Sequence, residues 1–299
     1  MLAARRAMPQ LRFMSHDITP LGTEGPGAAS TTRRSFLAGA AAGATLALAP
    51  SLAHAASPLA VFRPSGSGAM SHAAFAPLLA AYVRPDTAGY NRVDYAAFKS
   101  AGHAALKAYV ATLQAAAPSR FGRAEAMAYW INLYNARTLD VVLDRYPVSS
   151  IKKINLGGGG IFGGGPWSKP LMTVEGRALS LDDIEHRIVR PLFGDPMCHY
   201  ALNCASYSCP NLATEPYTGE NAGRLMADSA RAYINHPRGL SIDGGAITAS
   251  RIYAWYAGDF GGRDRLKPHW KTFAGDRLAS RIDAARIAGY SYDWTLNDV

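Results

Sequence analysis

The sequence of 299 residues lacks the patterns that would place it in several large classes. It contains no run of five or more like charges, although Lys and Arg outnumber Asp and Glu by 31 to 22 and give a formal net charge of +9. Nucleic-acid-binding proteins concentrate basic residues in patches, so we expect no nucleic acid among the partners. The apolar stretch at residues 35–49 is shorter than the about 20 residues that span a bilayer, so we also expect no stable membrane span.

Signatures of bound metals and cofactors are also missing. No Cys-x-x-Cys or His-x-x-x-His pair offers the spacing of a metal site, and the glycine-rich loop at residues 157–165 lacks the Gly-Lys-Ser/Thr ending of a phosphate-binding loop. We therefore predict no metal and no cofactor, and we interpret the loop as a flexible lid or connector. Neither an internal repeat nor a regular strand–helix–strand alternation is present, so no solenoid or parallel α/β architecture is indicated.

What is present is the composition of a folded globular protein, with 48% hydrophobic and 18% charged residues. Apolar residues recur at helical spacing in several segments, and two short alternating segments surround turn residues. We predict an α+β fold, a helix-rich single domain with a central buried helix and short antiparallel strands in hairpins. The predicted helices cover about 71–83, 95–116, 123–146, 220–234, 251–256 and 277–287, and the predicted hairpins lie at 172–179 and 240–248.

The first part of the chain has the order of an export signal. It is defined by two arginines, by two apolar residues that follow them and by a small residue before the cleavage site. These residues are Arg33 and Arg34, Phe36 and Leu37, and Ala55. This leader, residues 1–55, resembles a twin-arginine signal peptide, with cleavage predicted after Ala55. The resemblance implies the twin-arginine export machinery as a partner and a periplasmic or secreted product. Residues 56–299 are then expected to form a single globular domain.

The predicted helix at 123–146 carries two amides that need partners. Its charged residues form one strip: Arg137, Asp140 and Asp144. Asn132 and Asn135 fall roughly opposite that strip, so we expect both amides to be buried. A buried amide without partners costs about 1–3 kcal/mol, so each must bond to backbone, to water or to a polar site.

A second polar pattern follows Ser180, which we predict to cap a helix with Asp183 three residues on. Asp182, His186 and Arg190 are spaced four residues apart, so a carboxylate, an imidazole and a guanidinium follow one another along a single helical face. This arrangement can orient a histidine for catalysis. An ordinary solvated face with an ion-paired histidine has the same pattern.

All three cysteines, Cys198, Cys204 and Cys209, lie within twelve residues of one another, and an odd number in an exported chain leaves at least one thiol unpaired. His199 to Asn203 alternate as a short strand would, and Cys204 follows at the end of that strand near an imidazole. This position suits a thiolate nucleophile. A packed cysteine, a Cys204–Cys209 disulfide, or a metal site that also uses His186 and His199 are the alternatives.

These residues stand in ordered motifs that resemble the family called domain of unknown function 547. The motifs are Ala128-Tyr-Trp-Ile-Asn-Leu-Tyr-Asn-Ala136, Leu181-Asp-Asp-Ile-Glu-His186 with Arg190, and His199-Tyr-Ala-Leu-Asn-Cys-Ala-Ser206 through Ser208-Cys-Pro210. A later block is similar as well: Ile252, Trp255, Tyr256, Asp259 and Phe260. The resemblance covers about residues 70–275. It implies no established reaction, and Cys198 stands where the family often has arginine.

The resemblance implies a set of motif residues that coincides with the residues selected above. They are Trp130, Asn132, Asn135, Glu185, His186, Arg190, His199, Asn203, Cys204, Ser206 and Cys209. A core that served stability alone would be mostly aliphatic, so this polar set indicates a site. A buried polar network that fixes the fold is the alternative.

Two functions fit this pattern. The first is an exported thiol-dependent hydrolase or acyl/amide-transfer enzyme with Cys204 as nucleophile and His199 or His186 as base. In it Glu185 or Asp182 orients the base, and Asn132 or Asn135 stabilises an oxyanion. The second is a non-catalytic binding module of the cell envelope, which predicts a Cys204–Cys209 bridge. In either case the ligand is a small molecule, a peptide or an envelope component.

Overall fold

The computed structural model describes residues 59–156 and 165–299. The predicted export signal and most of the glycine-rich loop lie outside these residues. All described residues fall within one compact unit of the chain, His54–Val299. Within the described residues, none of the helices combines the length and the apolar character needed to cross a membrane.

A 23-residue helix, Arg123–Arg145, occupies the centre of the fold and is called the central helix below. Most of its side chains are buried, as the sequence pattern predicts. It ends two residues before Pro147, which cannot continue a helix. The predicted charged strip faces the helix His103–Ala115, where Lys107 pairs with Asp140 and Asp144. Asp140 is consequently buried, whereas a charged strip on an amphipathic helix ordinarily faces solvent.

The other elements are short. The α-helices are Ala76–Tyr82, Tyr95–Ala97, His103–Ala115, Arg190–Phe193, Ala222–Ile234, Ile252–Trp255, Leu266–Phe273 and Asp276–Ile282. The π-helices are Phe98–Gly102 and Asp183–Val189, and the 3-10 helices are Ala60–Phe62, Pro118–Arg120, Ile151–Lys153, Pro196–Tyr200 and Arg263–Arg265. The strands are β1 Val83–Pro85, β2 Asn91–Val93, β3 Met172–Val174, β4 Arg177–Leu179, β5 Leu240–Asp243, β6 Ala246–Ser250 and β7 Arg286–Ser291.

Both predicted hairpins form, as the antiparallel pairs β3–β4 and β5–β6. A third antiparallel pair joins β1 to β2, and β7 adds to β6 in parallel. The prediction of a helix-rich α+β domain is therefore confirmed. The parallel pair replaces the end of the helix predicted at 277–287, because the chain leaves the helix at Ile282 and returns to the sheet edge.

Two local predictions are wrong for identifiable reasons. The helix predicted from Ser71 begins at Ala76 and carries Pro77 in its first turn, where proline is tolerated. No strand forms at 199–203, because the 3-10 helix Pro196–Tyr200 covers the first two of these residues and irregular backbone follows. The Asp195 side chain caps that helix by accepting from Met197 N, so a helical start is favoured over an extended one.

Candidate functional site

A small cavity lies where the central helix, the helix Asp183–Val189 and the cysteine loop meet, and the cysteine loop is defined here as Asn203–Pro210. Its volume is about 30 Å³, which holds about one or two water-sized molecules. The lining residues are Tyr134, Glu185, His199, Leu202, Cys204, Cys209, Ile252, Trp255, Tyr256 and Tyr292. Four predicted site residues, Glu185, His199, Cys204 and Cys209, therefore meet at one cavity.

The cysteine loop holds Cys204 in a fixed, strained turn. Ala205 has a φ of 59°, in the left-handed region that residues with a side chain rarely adopt. Its N–H donates to Asn203 Oδ1 at 2.9 Å, and Asn297 N donates to Ala205 O. Strain of this kind persists only where the surroundings hold it, and it is frequent at functional sites. The loop therefore presents the Cys204 sulfur at a defined position.

Three polar groups surround the Cys204 sulfur. Cys209 Sγ lies 3.0 Å away, Tyr292 Oη 3.1 Å and Ser206 Oγ 3.3 Å. Ser206 Oγ also donates to Tyr292 Oη at 3.0 Å, which leaves the Tyr292 hydroxyl proton for the sulfur. Burial raises the pKa of Cys204, but hydrogen bonds from Cys209, Ser206 and Tyr292 outweigh burial and lower that pKa below its ordinary value. The site is thus arranged to hold a thiolate.

Cys209 has the opposite character. Burial and the neighbouring Cys204 raise the pKa of Cys209 well above its ordinary value. Cys209 therefore stays a thiol and can donate to the Cys204 thiolate, while its sulfur accepts from Cys204 N at 2.9 Å. All three cysteines are free, so the bridge that the binding-module hypothesis predicts is not formed in this structure.

His199 is held at the cavity by a chain of charged groups. Its Nε2 donates to Asp259 Oδ2 at 2.8 Å, and Arg190 forms a two-bond pair with the same carboxylate at 2.6 and 2.9 Å. The hydrogen bond from His199 and the Arg190 pair hold the pKa of Asp259 well below its ordinary value. The ring stacks on Tyr256 with centroids 4.1 Å apart. Asp259 thus fixes both the orientation and the tautomer of His199.

The second ring nitrogen of His199 faces Glu185. Nδ1 lies 4.0 Å from Glu185 Oε1, while Nε2 is bonded to Asp259. Glu185 is buried and accepts from Tyr134 Oη at 3.3 Å. The Cys204 sulfur has no hydrogen bond to an imidazole within the described ranges, so a direct thiol–imidazole pair is not part of this geometry.

His186 lies one position along the helix from Glu185 and outside the cavity lining. Arg190 Nη1 lies 3.2 Å from His186 Nδ1, and His186 Nε2 lies 3.7 Å from Asp182 Oδ1. The predicted alignment of Asp182, His186 and Arg190 on one face is therefore present. Burial, with the charge of Arg190, lowers the pKa of His186. Of the two candidate bases, His199 is the one at the cavity.

The predicted amides hold the cysteine loop and its surroundings in place. Asn135 Nδ2 donates to Ala201 O at 2.9 Å, and its Oδ1 accepts from Asn203 N at 2.8 Å. Asn132 makes the equivalent pair with the carbonyl and N–H of Tyr217, at 2.7 and 3.0 Å. Both amides are buried, as predicted, and neither lines the cavity. We assign them a positioning role in place of the oxyanion role.

The remaining predicted residues are also held in place, either by packing in the core or by hydrogen bonds to the backbone. Trp130 is fully buried in the core against Phe62 and Tyr129. Asn203 Nδ2 donates to Pro210 O at 2.7 Å and so spans the cysteine loop. Cys198 is buried, and burial raises its pKa well above the ordinary value. It is the inert member of the three cysteines.

Four cavity or network residues that carry a hydroxyl or a carboxylate are not in the predicted site: Tyr134, Tyr256, Asp259 and Tyr292. Tyr134, Tyr256 and Asp259 stand inside the motifs that carry the family resemblance, and their polar side chains at motif positions are the signal that identifies them. Tyr292 lies in no motif and about 80 residues beyond the cysteines in sequence. Only the return of the segment 292–298 to the cysteine loop brings it to Cys204.

One group of metal-ligand types exists among the described residues, and it lies outside the cavity lining. His103, Asp140 and Asp144 place one ligand atom each within 4.8 Å of one another. Lys107 Nζ lies 2.8 Å from Asp140 and 2.9 Å from Asp144, and Arg137 also pairs with Asp140. The protein's own cations therefore already neutralise these carboxylates.

Comparison with known proteins supports the family resemblance for the middle of the chain. Residues 118–234 match the model of a family described as "Protein of unknown function, DUF547". The match includes the central helix, the helix Asp183–Val189 and the whole cysteine loop, and it leaves the block from Ile252 to Phe260 outside. No curated protein and no solved structure matches the chain.

Proposed function

We propose that this protein is an exported thiol-dependent enzyme, a hydrolase or an acyl/amide transferase, with Cys204 as its nucleophile. The observation that supports this reaction class is the environment of the Cys204 sulfur, which has three hydrogen-bonding neighbours and a lowered pKa. A thiolate attacks carbonyl carbon far more readily than a thiol does. A buried cysteine that served packing alone would need no such set of donors.

In this reaction the Cys204 sulfur bonds to the carbonyl carbon of the substrate, the bond from that carbon to the leaving nitrogen or oxygen breaks, and the leaving amine or alcohol takes a proton from water. His199 is suited to act as a base in the second step, because Asp259 holds its Nε2 and its Nδ1, in the same cavity, can accept the proton of the molecule that attacks the thioester. Water then attacks the thioester in a hydrolase, or a second amine or alcohol does so in a transferase. The Tyr292 hydroxyl, 3.1 Å from the sulfur, replaces the predicted amides as the oxyanion donor.

The size of the cavity limits what can react. About 30 Å³ accommodates the scissile group alone, so a peptide or ester must displace part of the aromatic wall. Trp255 and Tyr292 form that wall and are partly exposed, whereas Tyr256 is buried. We therefore propose that substrate enters past Trp255 and Tyr292.

Alkylation of the native protein with iodoacetamide tests the nucleophile. We expect mass spectrometry to find the adduct on Cys204 at neutral pH, with Cys198 unmodified because burial keeps it a thiol. Cys198→Ala is the matched control and should label as the wild type does. Labelling that appears only after unfolding would refute the proposal. Activity of wild type and Cys204→Ala is then compared on peptides, esters and envelope fragments.

Export is tested separately by fractionation of the cells. A variant with Arg33→Lys and Arg34→Lys should accumulate unprocessed in the cytoplasm, while the wild type should yield a product that begins at Ala56. Equal export of the two would exclude the twin-arginine route without bearing on the role of Cys204.

A binding module is the second candidate, and the internal bonding of the polar groups favours it. The amides of Asn132 and Asn135 bond to backbone groups, and Arg190, Asp259 and His199 bond to one another in a chain, as in a network that fixes a fold. This function predicts that Cys204→Ala binds the same envelope fragments as the wild type with unchanged affinity. It also predicts that Cys204 in the native protein does not react with iodoacetamide.

A further inference from the structure

The two cysteines at the cavity form a pair that acyl transfer does not need. Cys204 and Cys209 are separated by four residues, their sulfurs lie 3.0 Å apart, and both line the same cavity. Acyl transfer forms and breaks bonds at one sulfur, and the Cys209 thiol contributes to it only a hydrogen bond to the Cys204 sulfur. The sulfurs are close enough that a small movement of either side chain would bring them to the about 2.05 Å of a disulfide.

The cavity also selects the size of a reactant that can reach the pair without opening the site. A volume of about 30 Å³ accommodates a molecule of one or two oxygen atoms, whereas a larger reactant, such as glutathione disulfide or a dithiol, must first displace Trp255 and Tyr292. Cys204 is only 8% exposed and Cys209 3% exposed, so a large disulfide does not reach either sulfur from the surface unless that wall opens. The small oxidant that fits such a space and reacts with a thiolate is a hydroperoxide.

We propose that Cys204 and Cys209 act together to reduce small hydroperoxides, with Cys204 as the attacking sulfur and Cys209 as the resolving thiol. The proposal shares with the proposed function only the nucleophilic character of Cys204 and is independent of acyl transfer.

The reaction balances in two steps. The Cys204 thiolate attacks one oxygen of the peroxide, the O–O bond breaks, and a sulfenic acid forms while hydroxide or alkoxide leaves and takes a proton from water. The Cys209 thiol then attacks the sulfur of the sulfenic acid, a disulfide forms, and the thiol proton leaves with the displaced hydroxide as water. The peroxide is reduced and two cysteines are oxidised. A small dithiol, supplied from outside and admitted when Trp255 and Tyr292 move aside, returns the disulfide to thiols.

The neighbours of Cys204 fit both steps. Tyr292 Oη lies 3.1 Å from the sulfur and Ser206 Oγ 3.3 Å, so two hydroxyl groups adjoin the position that the peroxide oxygens would occupy. Cys209 contacts the same sulfur, and its higher pKa keeps it protonated until attack, which prevents it from competing for the oxidant. Cys198 has no hydrogen bond to either sulfur within the described residues.

The experiment exposes the reduced, mature protein to equimolar hydrogen peroxide and follows intact mass and peptide maps. The wild type should lose two hydrogens and yield a Cys204–Cys209 disulfide, at a rate on the order of tenfold or more above free cysteine at the same pH. Cys209→Ser should stop at a sulfenic acid on Cys204 that dimedone traps. Cys198→Ser is the matched control and should behave as the wild type.

Turnover and size selection complete the test. With dithiothreitol as reductant, the wild type should consume hydrogen peroxide continuously, and Cys209→Ser should lose on the order of tenfold of that rate. Cumene hydroperoxide should react on the order of tenfold more slowly than hydrogen peroxide, because its bulky group must first displace part of the aromatic wall. Oxidation centred on Cys198, equal turnover by Cys209→Ser, or a rate no higher than that of free cysteine would each overturn the proposal.

The two proposals about Cys204 fail in different ways. If iodoacetamide labels native Cys204 while peroxide does not oxidise it faster than free cysteine, peroxide reduction is wrong and the nucleophile stands. If neither reagent reacts with native Cys204, both proposals are wrong. Disulfide formation without activity on any acyl substrate leaves peroxide reduction as the function of the site.

Discussion

At the scale of single residues, the properties of Cys204 come from side chains that are distant in sequence. Ser206 and Cys209 belong to the same loop, but Tyr292 arrives from a segment beyond β7. A sulfur with one donor differs little from an ordinary cysteine, whereas several donors offset the effect of burial on its charged form. Reactivity here is therefore a property of the assembled site.

The Tyr292→Phe variant tests the part that its hydroxyl plays. The ring and its packing stay, and the hydrogen bonds of the hydroxyl to the Cys204 sulfur and to Ser206 Oγ are removed. A hydrogen bond to a charged group contributes about 1.5–3 kcal/mol, so we expect alkylation of Cys204 at pH 7 to slow by roughly tenfold and its pH profile to move to higher pH. Tyr290→Phe, two residues away, is the control, and an unchanged profile in Tyr292→Phe would contradict this role.

The amide of Asn135 offers a second test at this scale. Asn135→Ala leaves the carbonyl of Ala201 and the N–H of Asn203 unpaired in a buried place, so we expect a loss of about 2–4 kcal/mol in the free energy of unfolding. Asn235 makes the same kind of double bridge, to Phe273 O and Gly275 N, but at an exposed position. Asn235→Ala should lose less than about 1 kcal/mol, because water replaces the amide. Urea denaturation compares the two.

At the scale of elements, the central helix is bound to its neighbour by a buried charge. Asp140 is 1% exposed and contacts Lys107, His103 and Arg137. Burial raises the pKa of Asp140, but the hydrogen bonds from Lys107 and His103 and the charge of Arg137 outweigh burial and lower that pKa. The helix His103–Ala115 is thus joined to the central helix by charge as well as by apolar contact.

Asp140→Asn measures what that charge contributes. It leaves Lys107 and Arg137 without their shared carboxylate, so we expect the free energy of unfolding to fall by about 3 kcal/mol. Asp228→Asn breaks the pairs with Arg224 and Arg231, whose side chains are more than half exposed, and should lose about 0.5 kcal/mol or less. Equal losses in the two variants would show that burial of the Asp140 pair has no effect.

The elements also show what sequence patterns reveal and what they miss. The central helix is predictable because its apolar residues keep helical spacing over 23 residues and Pro147 marks its end. The hairpins are predictable because turn residues lie between alternating strands. The 3-10 helix Pro196–Tyr200 is missed because Asp195 and Pro196 favour a helical start, whereas the residues from His199 onward alternate as in a strand. The pairing of β6 with β7 is missed because parallel pairing depends on contacts formed across the helices between them.

The same distinction applies to the site. Cys204, Cys209, Glu185 and His199 were predictable because reactive residue types stand close together in motifs. The partner of His199 was not, because Asp259 lies 60 residues away in sequence and nothing in the spacing connects the two. The partners of the buried amides are not predictable either, since a sequence shows that an amide needs partners and not which partners it finds.

At the scale of the whole molecule, buried neutral histidines make stability depend on pH. Burial lowers the pKa of His72 to about 4 and that of His269 to about 4. Unfolded histidine has a pKa near 6.5, so between about pH 6.5 and 4 the unfolded chain binds protons that the folded protein does not. The stability contributed by the neutral rings is complete above that range and is lost as the pH falls through it.

His72→Gln isolates one of these contributions. His72 is 3% exposed, and its share of the loss corresponds to about 3 kcal/mol by the time the pH reaches 4. Urea unfolding at several pH values from 7 to 4 should show a shallower decline in the variant than in the wild type. Parallel curves would mean that His72 in the folded protein takes up its proton as readily as in the unfolded chain.

The segment 292–298 also sets an order of events in the making of this protein. Tyr207 N bonds to Thr295 O, Asn297 N bonds to Ala205 O, and Tyr292 reaches the Cys204 sulfur. A chain still being synthesised has Cys204 outside the ribosome for many seconds before residue 297 emerges. During that time the sulfur has no Tyr292 beside it and behaves as an ordinary cysteine. The reactive site therefore forms only after the segment 292–298 has been translated. A chain truncated before residue 292 contains Cys204 and Cys209 but lacks the hydrogen bond of Tyr292 to the Cys204 sulfur.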